Sequence, residues 1–383
     1  WVQLKQRAGH DRSTRPAVGP DMLNLNQRLA YDIVMRQSRL RDEALVNGNP
    51  PPPPLRLVIT GTAGTGKKVV INALVSVLGE DKFLLLAPTG QAACGIGGST
   101  IHSDLKISPA SRGRRTRPLS TSTVSGLQQR LEHKTIILVD EVSMVGKSML
   151  GLMSQRADQA KQGQPGPDAS TFGGMGLIPV GDPYQLAPVG EEPMWSSGTG
   201  GANGPMGQLV WAEMKDCVFL TEVMRQKGDA QAGLRRTLIA IAEGRAGLQE
   251  WELLSTRMRD NLSREEIASF ADAVHLFPTN EAARAWNVER LHVLGTSIVR
   301  IDAEHTHPRD VNADLDRFRG LDARLFLASG ARVFLNNNVW VEVGLSNDAM
   351  GTVVHIHWAV GQRPPSLPLA VLVRFDIYRG PQY

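Results

Sequence analysis

Cysteine is nearly absent from this chain: Cys94 and Cys217 stand alone and far apart. That excludes a disulfide framework and a thiolate zinc site, and it suits a reducing compartment. Long apolar runs are missing too. None approaches the roughly 20 residues that a bilayer-spanning helix needs, so a protein of that kind is excluded. The chain shows no succession of basic, apolar and small residues of the signal-peptide type, and it opens on Trp1 rather than Met, like a piece of a longer product. Strong charge of either sign is also lacking. A formal net charge of +4 permits a polyanionic partner without demanding one.

What remains is ordinary globular composition, 42% hydrophobic and 21% charged, over 383 residues. That length exceeds one compact core and implies about two or three domains. The organising stretch is Leu55-Arg-Leu-Val-Ile-Thr60, a short apolar run that reads as a buried strand, followed by Gly61-Thr62-Ala63-Gly64-Thr65-Gly66-Lys67-Lys68. Glycines at these positions let backbone N–H groups converge on a phosphate chain ahead of a helix, and Lys67 completes the G-x-x-x-x-G-K pattern. Lys68 then departs from it. A Ser or Thr hydroxyl normally stands there as a Mg²⁺ ligand.

Residues 1–20 carry scattered Arg, Pro and Gly without periodicity and read as a flexible lead-in. Apolar residues from Leu23 to Val34 recur at helical spacing, with Asn available as a cap. Gln27 sits in that first turn. Its amide can meet both edges of an adenine, although a helical Gln is more often simply solvated. After the phosphate loop, a helix and Lys82-Phe-Leu-Leu-Leu-Ala87 complete a βαβ unit of a parallel sheet. Pro88-Thr89-Gly90 and Thr100-Ile101-His102-Ser103 follow, each readable as a ligand loop or as a plain turn. Residues 108–126, with Arg112, Arg114, Arg115 and Arg117, form a basic loop that is either a solvated surface or a phosphate-backbone contact.

The next buried strand, Thr135 to Val139, ends in Asp140-Glu141. A carboxylate at such a strand tip can hold Mg²⁺ while its neighbour orients or deprotonates an attacking water, although acidic strand ends also arise by chance. Leu177 to Val180 delivers Gly181-Asp182-Pro183-Tyr184-Gln185, whose uncharged amide suits a sensor of the terminal phosphate. The glycine-rich stretch from Gly190 to Gly207 reads as mobile surface. Cys217 to Thr221 is another strand, and Arg225 beyond it is placed either to stabilise charge on a transferred phosphoryl or to make a surface ion pair. Helical patterns occupy about Ala230–Glu243 and Leu248–Met258, with Trp251 expected in a core. A second sheet is expected to begin with Ala273 to Phe277. The helix opened by Thr279-Asn280 offers N–H donors to a phosphate, and capping explains those two residues equally well. From Arg332 onward, short Val- and Ile-rich runs predict a small antiparallel barrel or sheet.

Five blocks in order now stand together: Gly61 to Lys67, Ala87 to Gly90 with Thr100 to Ser103, Val139-Asp-Glu-Val-Ser-Met-Val145, Gly181 to Gln185, and Leu220-Thr-Glu-Val-Met-Arg-Gln226. They resemble the PIF family of superfamily-one DNA helicases over about residues 21–378. The resemblance implies a P-loop NTPase of α/β class with RecA-like parallel-sheet motor domains. It places the first at 21–225, with 108–126 as a wedge-like basic loop, the start of a second at 226–330, and a truncated SH3-like β insertion at 331–383. It implies ATP and Mg²⁺ as cofactors, 5′-to-3′ movement on single-stranded DNA and at forks, and work as a monomer. The implied setting is repair, recombination or telomere maintenance in the nucleus, with the mitochondrion as a second location.

By position, the resemblance makes Gln27 the adenine reader, Gly61 to Lys68 the phosphate cradle, Asp140 the Mg²⁺ ligand and Glu141 the catalytic base. Gln185 becomes the phosphate sensor and Arg225 the first arginine finger. Thr89, Gly90, Thr100 and His102 fall in DNA-touching blocks, and Thr279 and Asn280 are further backbone-contact candidates. No His-Lys-Ser-Gln-Gly block and no second arginine finger follow before Tyr383, which, with Lys68, predicts weak turnover. Two other classes compete: a non-motor protein that binds ATP and single strands, for example one derived from a Helitron-type element, and a P-loop kinase. The kinase does not account for Asp182 to Gln185 or for Arg225.

Overall fold

The structure is a computed structural model, and it describes residues 18–108, 118–161, 171–226, 228–304, 323–364 and 366–381. Residues 1–17 of the lead-in and the arginines at 112, 114, 115 and 117 lie outside the described residues, whereas Val18 is buried in the core and Pro20–Met22 form a 3-10 turn, so the end of the expected flexible stretch is packed. The chain divides into two compact units, the first running to Ala246 and the second beginning at Gly247. The expected division at 225/226 therefore falls inside the first unit.

In the first unit, α1 (Leu25–Val46) precedes β1 (Leu57–Gly61), α2 (Lys67–Leu78), β2 (Phe83–Ala87), α3 (Gly90–Gly95), β3 (Ser99–Thr100) and α4 (Ile101–Asp104). Next come α5 (Thr121–Leu131), β4 (Ile136–Val139), α6 (Lys147–Lys161), β5 (Gly176–Gly181), α7 (Gly204–Ala212), β6 (Asp216–Leu220) and α8 (Ala232–Ala242). The strands form one six-stranded parallel sheet in the order β3-β2-β4-β5-β1-β6. Crossover helices cover both of its faces, as an all-parallel sheet requires.

Alternation along the strands assigns side chains to the two layers. Leu84, Leu86, Ile137, Val139 and Leu177 pack with helices α4 to α6, whereas Phe83, Leu85, Ile136, Leu138, Ile178 and Val180 pack with α1 and α2. Burial on both faces explains why these strands read as continuous apolar runs. The order leaves β1 between β5 and β6, with Ile59 opposite both Val180 and Val218. The loops after β1, β4, β5 and β6 thus emerge at one carboxyl edge, where open α/β sheets bind ligands.

Two surface expectations change here. Residues 121–126 of the expected basic loop are the first turns of α5, capped by Ser120, whose hydroxyl accepts from the Thr123 N–H. The stretch from Gly190 is pinned rather than mobile. Lys147 is fully buried, and its ammonium donates to the Ser196 and Gly198 carbonyls, each at 2.5 Å. Met194 is buried in the core beside it.

The second unit holds α9 (Leu248–Ser255), α10 (Arg264–Ser269), α11 (Asn280–Val293), the antiparallel pair β7 (Val299–Asp302) and β8 (Arg324–Leu327), and β9 (Arg332–Phe334), β10 (Met350–His357) and β11 (Ala370–Phe375). The last three form an antiparallel sheet in the order β11-β10-β9. Residues 273–277 are not a strand. They pair with nothing in a ladder, and the segment instead packs His275 against Trp286 of α11, with the rings tilted by 40° and their centroids 4.3 Å apart. Trp251 is 58% exposed on α9 and is not a core residue among the described neighbours.

Candidate active site

The phosphate loop is built by glycine where nothing else fits. Gly64 and Gly66 have φ of +84° and +83°, and a Cβ on Gly66 would lie 2.3 Å from Gln27 Nε2. Thr65 is fully buried, and its hydroxyl donates to the Thr62 carbonyl at 2.9 Å, bracing the turn. Gly61 ends β1, and Thr62 and Ala63 complete the span to α2. The Lys67 ammonium folds back over this span and donates to the Gly61 and Thr62 carbonyls at 2.6 and 3.1 Å. Burial lowers its pKa, an effect opposed by the charges of Asp182, Glu141 and Asp140 and reinforced by Arg225. All four side chains therefore stand within electrostatic reach of one lysine.

Two elements lock onto the loop from outside. Gln27 belongs to a capping box with Asn24 at the start of α1, and its Nε2 also donates to the Thr65 carbonyl at 3.0 Å. Asn24 and Asn26 in turn donate to Glu222 and Thr221 at 2.9 and 3.0 Å, tying α1 to the exit of β6. From that exit the Met224 N–H donates to the Gly64 carbonyl at 2.8 Å, which brings Arg225 against the loop. A Cβ on Gly64 would meet the Arg225 Cβ at 2.8 Å.

Asp140 and Glu141 follow β4. Asp140 is 1% exposed, and its Oδ2 is buried without a hydrogen-bond partner. Burial and the neighbouring Glu141 push its pKa up to about 6, against the pull of Lys68, the Glu141 N–H and Lys67. Glu141 itself has φ of +51°, a left-handed backbone that non-glycine residues seldom adopt outside constrained sites.

Sequence reasoning left Asp182 without a role. It is buried, accepts from the Tyr184 N–H at 3.1 Å, and accepts from Gln185 Nε2 at 3.1 Å, so it aims the sensor candidate. The only signal was its place after a buried strand. Glu141 and Gln185 share a cleft of about 820 Å³ with Lys68, Thr89, Gln91 and Tyr184.

Thr89 and Thr100 leave adjacent strands, since Ala87 pairs with Thr100. Their hydroxyls cap α3 and α4 by accepting from Ala92 and Ser103 N–H groups, both at 3.3 Å. Gly90 is buried at the start of α3, and His102 is half-buried on α4. Thr279 and Asn280 lie in the second unit, where Thr279 caps α11 by accepting from Ala282 N–H and Asn280 is exposed.

A profile described as PIF1-like helicase matches residues 24–240, more than half of the chain. The chain belongs to the PIF1-like helicase family. Human ATP-dependent DNA helicase PIF1 is 29% identical over 306 residues, covering 78% of this chain and 44% of that protein. Budding-yeast ATP-dependent DNA helicase RRM3 is 26% identical over 306 residues, covering 77% and 39%. This PIF1-like chain thus spans less than half the length of these curated relatives. In fold it is similar to Pif1 helicase from Candida albicans, with a TM-score of 0.63 and 22% identity over 92% of this chain and 74% of that one. A Bacteroides Pif1 complex with ADP-AlF3 and single-stranded DNA aligns with a TM-score of 0.56 and 21% identity, covering 85% and 69%. The P-loop, RecA-like class of the first sheet is therefore established.

The family implies a magnesium ion beside Asp140, and the residues present fit it on one side only. The unpartnered Asp140 oxygen suits a cation. Opposite it, Lys68 brings an ammonium where a hydroxyl ligand is required, and like charges repel. This donor set does not fit a divalent ion.

Proposed function

We propose that this chain is the motor portion of an ATP-dependent DNA helicase that couples hydrolysis to 5′-to-3′ movement along single-stranded DNA. The observation that carries the reading is that the segments bearing Asp140, Glu141, Asp182 and Arg225 leave β4, β5 and β6 at the sheet edge where β1 ends in the phosphate loop and Lys67, with the Met224 N–H bonded to the Gly64 carbonyl. The ATP triphosphate lies on the N–H groups of residues 61–66, and Lys67 exchanges its two carbonyl partners for phosphate oxygens. Glu141 accepts the proton of the attacking water, Gln185 contacts the terminal phosphate, and Arg225 offsets charge developing there. Gln27 is buried with its amide bonded to Thr65 and Asn24, so contact with the adenine requires it to release the Thr65 carbonyl. Thr89, Gly90, Thr100 and His102 flank the strand path, and Thr279 with Asn280 offers N–H groups to a second stretch of its backbone.

The antiparallel sheet β9 to β11 is the SH3-like insertion of this reading, and its second motor domain begins at Gly247 rather than at 226. Similarity to ATP-dependent DNA helicases, and to Pif1 helicases solved with forked and single-stranded DNA, supports DNA as the partner. Repair, recombination and telomere maintenance, a monomeric state and a nuclear location with the mitochondrion second belong to the same proposal.

The decisive measurement is ATP hydrolysis with and without single-stranded DNA. The expected result is stimulation by DNA, and a loss of about 10²-fold or more in Glu141→Gln with ATP binding retained. A second reading, an ATP- and strand-binding protein without hydrolysis, is favoured by one observation, the ammonium of Lys68 acting on Asp140. Binding of both ligands with no turnover establishes that reading and eliminates the first.

A further inference from the structure

We propose that the Lys68 ammonium takes the place of the divalent cation in this pocket, so that the chain binds nucleoside triphosphate without magnesium. The inference rests on the triphosphate-cradle reading of residues 61–68. It begins with position: Lys68 is the second residue of α2, exposed toward the cleft that Glu141 and Gln185 also line. Its reach is set by Gly95 on α3. A Cβ there would lie 2.7 Å from Lys68 Nζ, so the absence of a side chain at 95 leaves room for the ammonium.

Two unsatisfied groups then flank the phosphate loop without pairing with each other. Lys68 makes no hydrogen bond or ion pair among the described residues, and Asp140 holds a buried Oδ2 without a partner. Of the cations acting on Asp140, Lys68 acts more strongly than Lys67. A tethered ammonium with three donors can bridge a carboxylate and phosphate oxygens, as a hydrated ion does. It carries half the charge of magnesium, but it is covalently present and costs nothing to recruit. With it in place, a divalent ion is repelled rather than required.

The test is titration of a fluorescent ATP analogue into the 383-residue chain, in excess EDTA and in magnesium, with Lys68→Thr and Lys68→Ala alongside. Thermal unfolding confirms that each variant is folded. The expected wild-type Kd changes by less than about twofold between buffers, whereas Lys68→Thr binds about tenfold more weakly in EDTA than in magnesium. Lys68→Ala is expected to bind weakly in both. A wild-type chain that loses about tenfold in EDTA overturns the inference, and so does Lys68→Ala binding as tightly as wild type in EDTA. Binding by Lys68→Thr alone, with magnesium, shows that the lysine obstructs the pocket and also overturns it. Failure of every variant in both buffers sinks the nucleotide reading itself.

Discussion

Gln27 Nε2 donates to the Thr65 carbonyl at 3.0 Å, while Gln27 Oε1 accepts from the Asn24 N–H at the same distance, so one amide closes α1 and grips the phosphate loop. Gln27→Ala removes both bonds and leaves a buried carbonyl unpaired, which is expected to cost about 2 kcal/mol in urea unfolding. Gln27→Glu is expected to be worse. It places an acceptor oxygen against the Thr65 carbonyl instead of a donor.

Arg225 is held on the loop by backbone contacts, so trimming its side chain leaves the scaffold intact. Arg225→Ala is expected to lower kcat by about 10³-fold with little change in unfolding midpoint, as steady-state kinetics and thermal scans would show. Gly64→Ala should reduce binding as well. Its φ of +84° and a Cβ 2.8 Å from that of Arg225 strain both partners.

Lys147 is a structural cation. Replacing it with Met keeps the buried stem but orphans the carbonyls of Ser196 and Gly198, at an expected cost of about 3 kcal/mol. Urea denaturation measures that cost. Limited proteolysis should then cut between residues 190 and 203 in the variant before it cuts the wild-type chain.

Asp140 stores an electrostatic penalty. Burial, with Glu141 beside it, raises its pKa from 3.8 to about 6, so the protonated form stabilises the fold below pH 3.8 and that stability is lost as pH rises through about 6. Asp140→Asn is therefore expected to gain about 2 kcal/mol at pH 7 in the nucleotide-free protein, with the gain vanishing near pH 4. Chemical denaturation at the two pH values checks the sign. Nucleotide hydrolysis should be lost in the same variant.

Much of the first unit was legible because its strands are buried on both faces, and Leu57 to Thr60, Phe83 to Ala87 and Ile136 to Val139 write that burial as unbroken apolar runs. The candidates Asp140, Glu141, Gln185 and Arg225 stood out for a related reason: they come after buried strands, at the sheet edge where ligands bind. Burial that is earned by polar contacts was not legible. Lys147 reads as a surface lysine until the carbonyls that surround it are seen, and Asp182 is one acidic residue among many until Gln185 and Tyr184 fold onto it. The opposite error arose at Ala273 to Phe277 and at Trp251. Apolar residues announce a tendency to be covered, but a strand also needs a neighbouring ladder, and residues 273–277 find their partner in the Trp286 ring instead.

The bond from the Met224 N–H to the Gly64 carbonyl joins two distant stretches through main-chain atoms alone. Its donor survives every replacement at 224 except proline. Drift in the sequence can therefore silence individual chemical groups around the loop while the chain end that presents Arg225 stays docked, so a catalytically dead descendant would keep the outline of a working one.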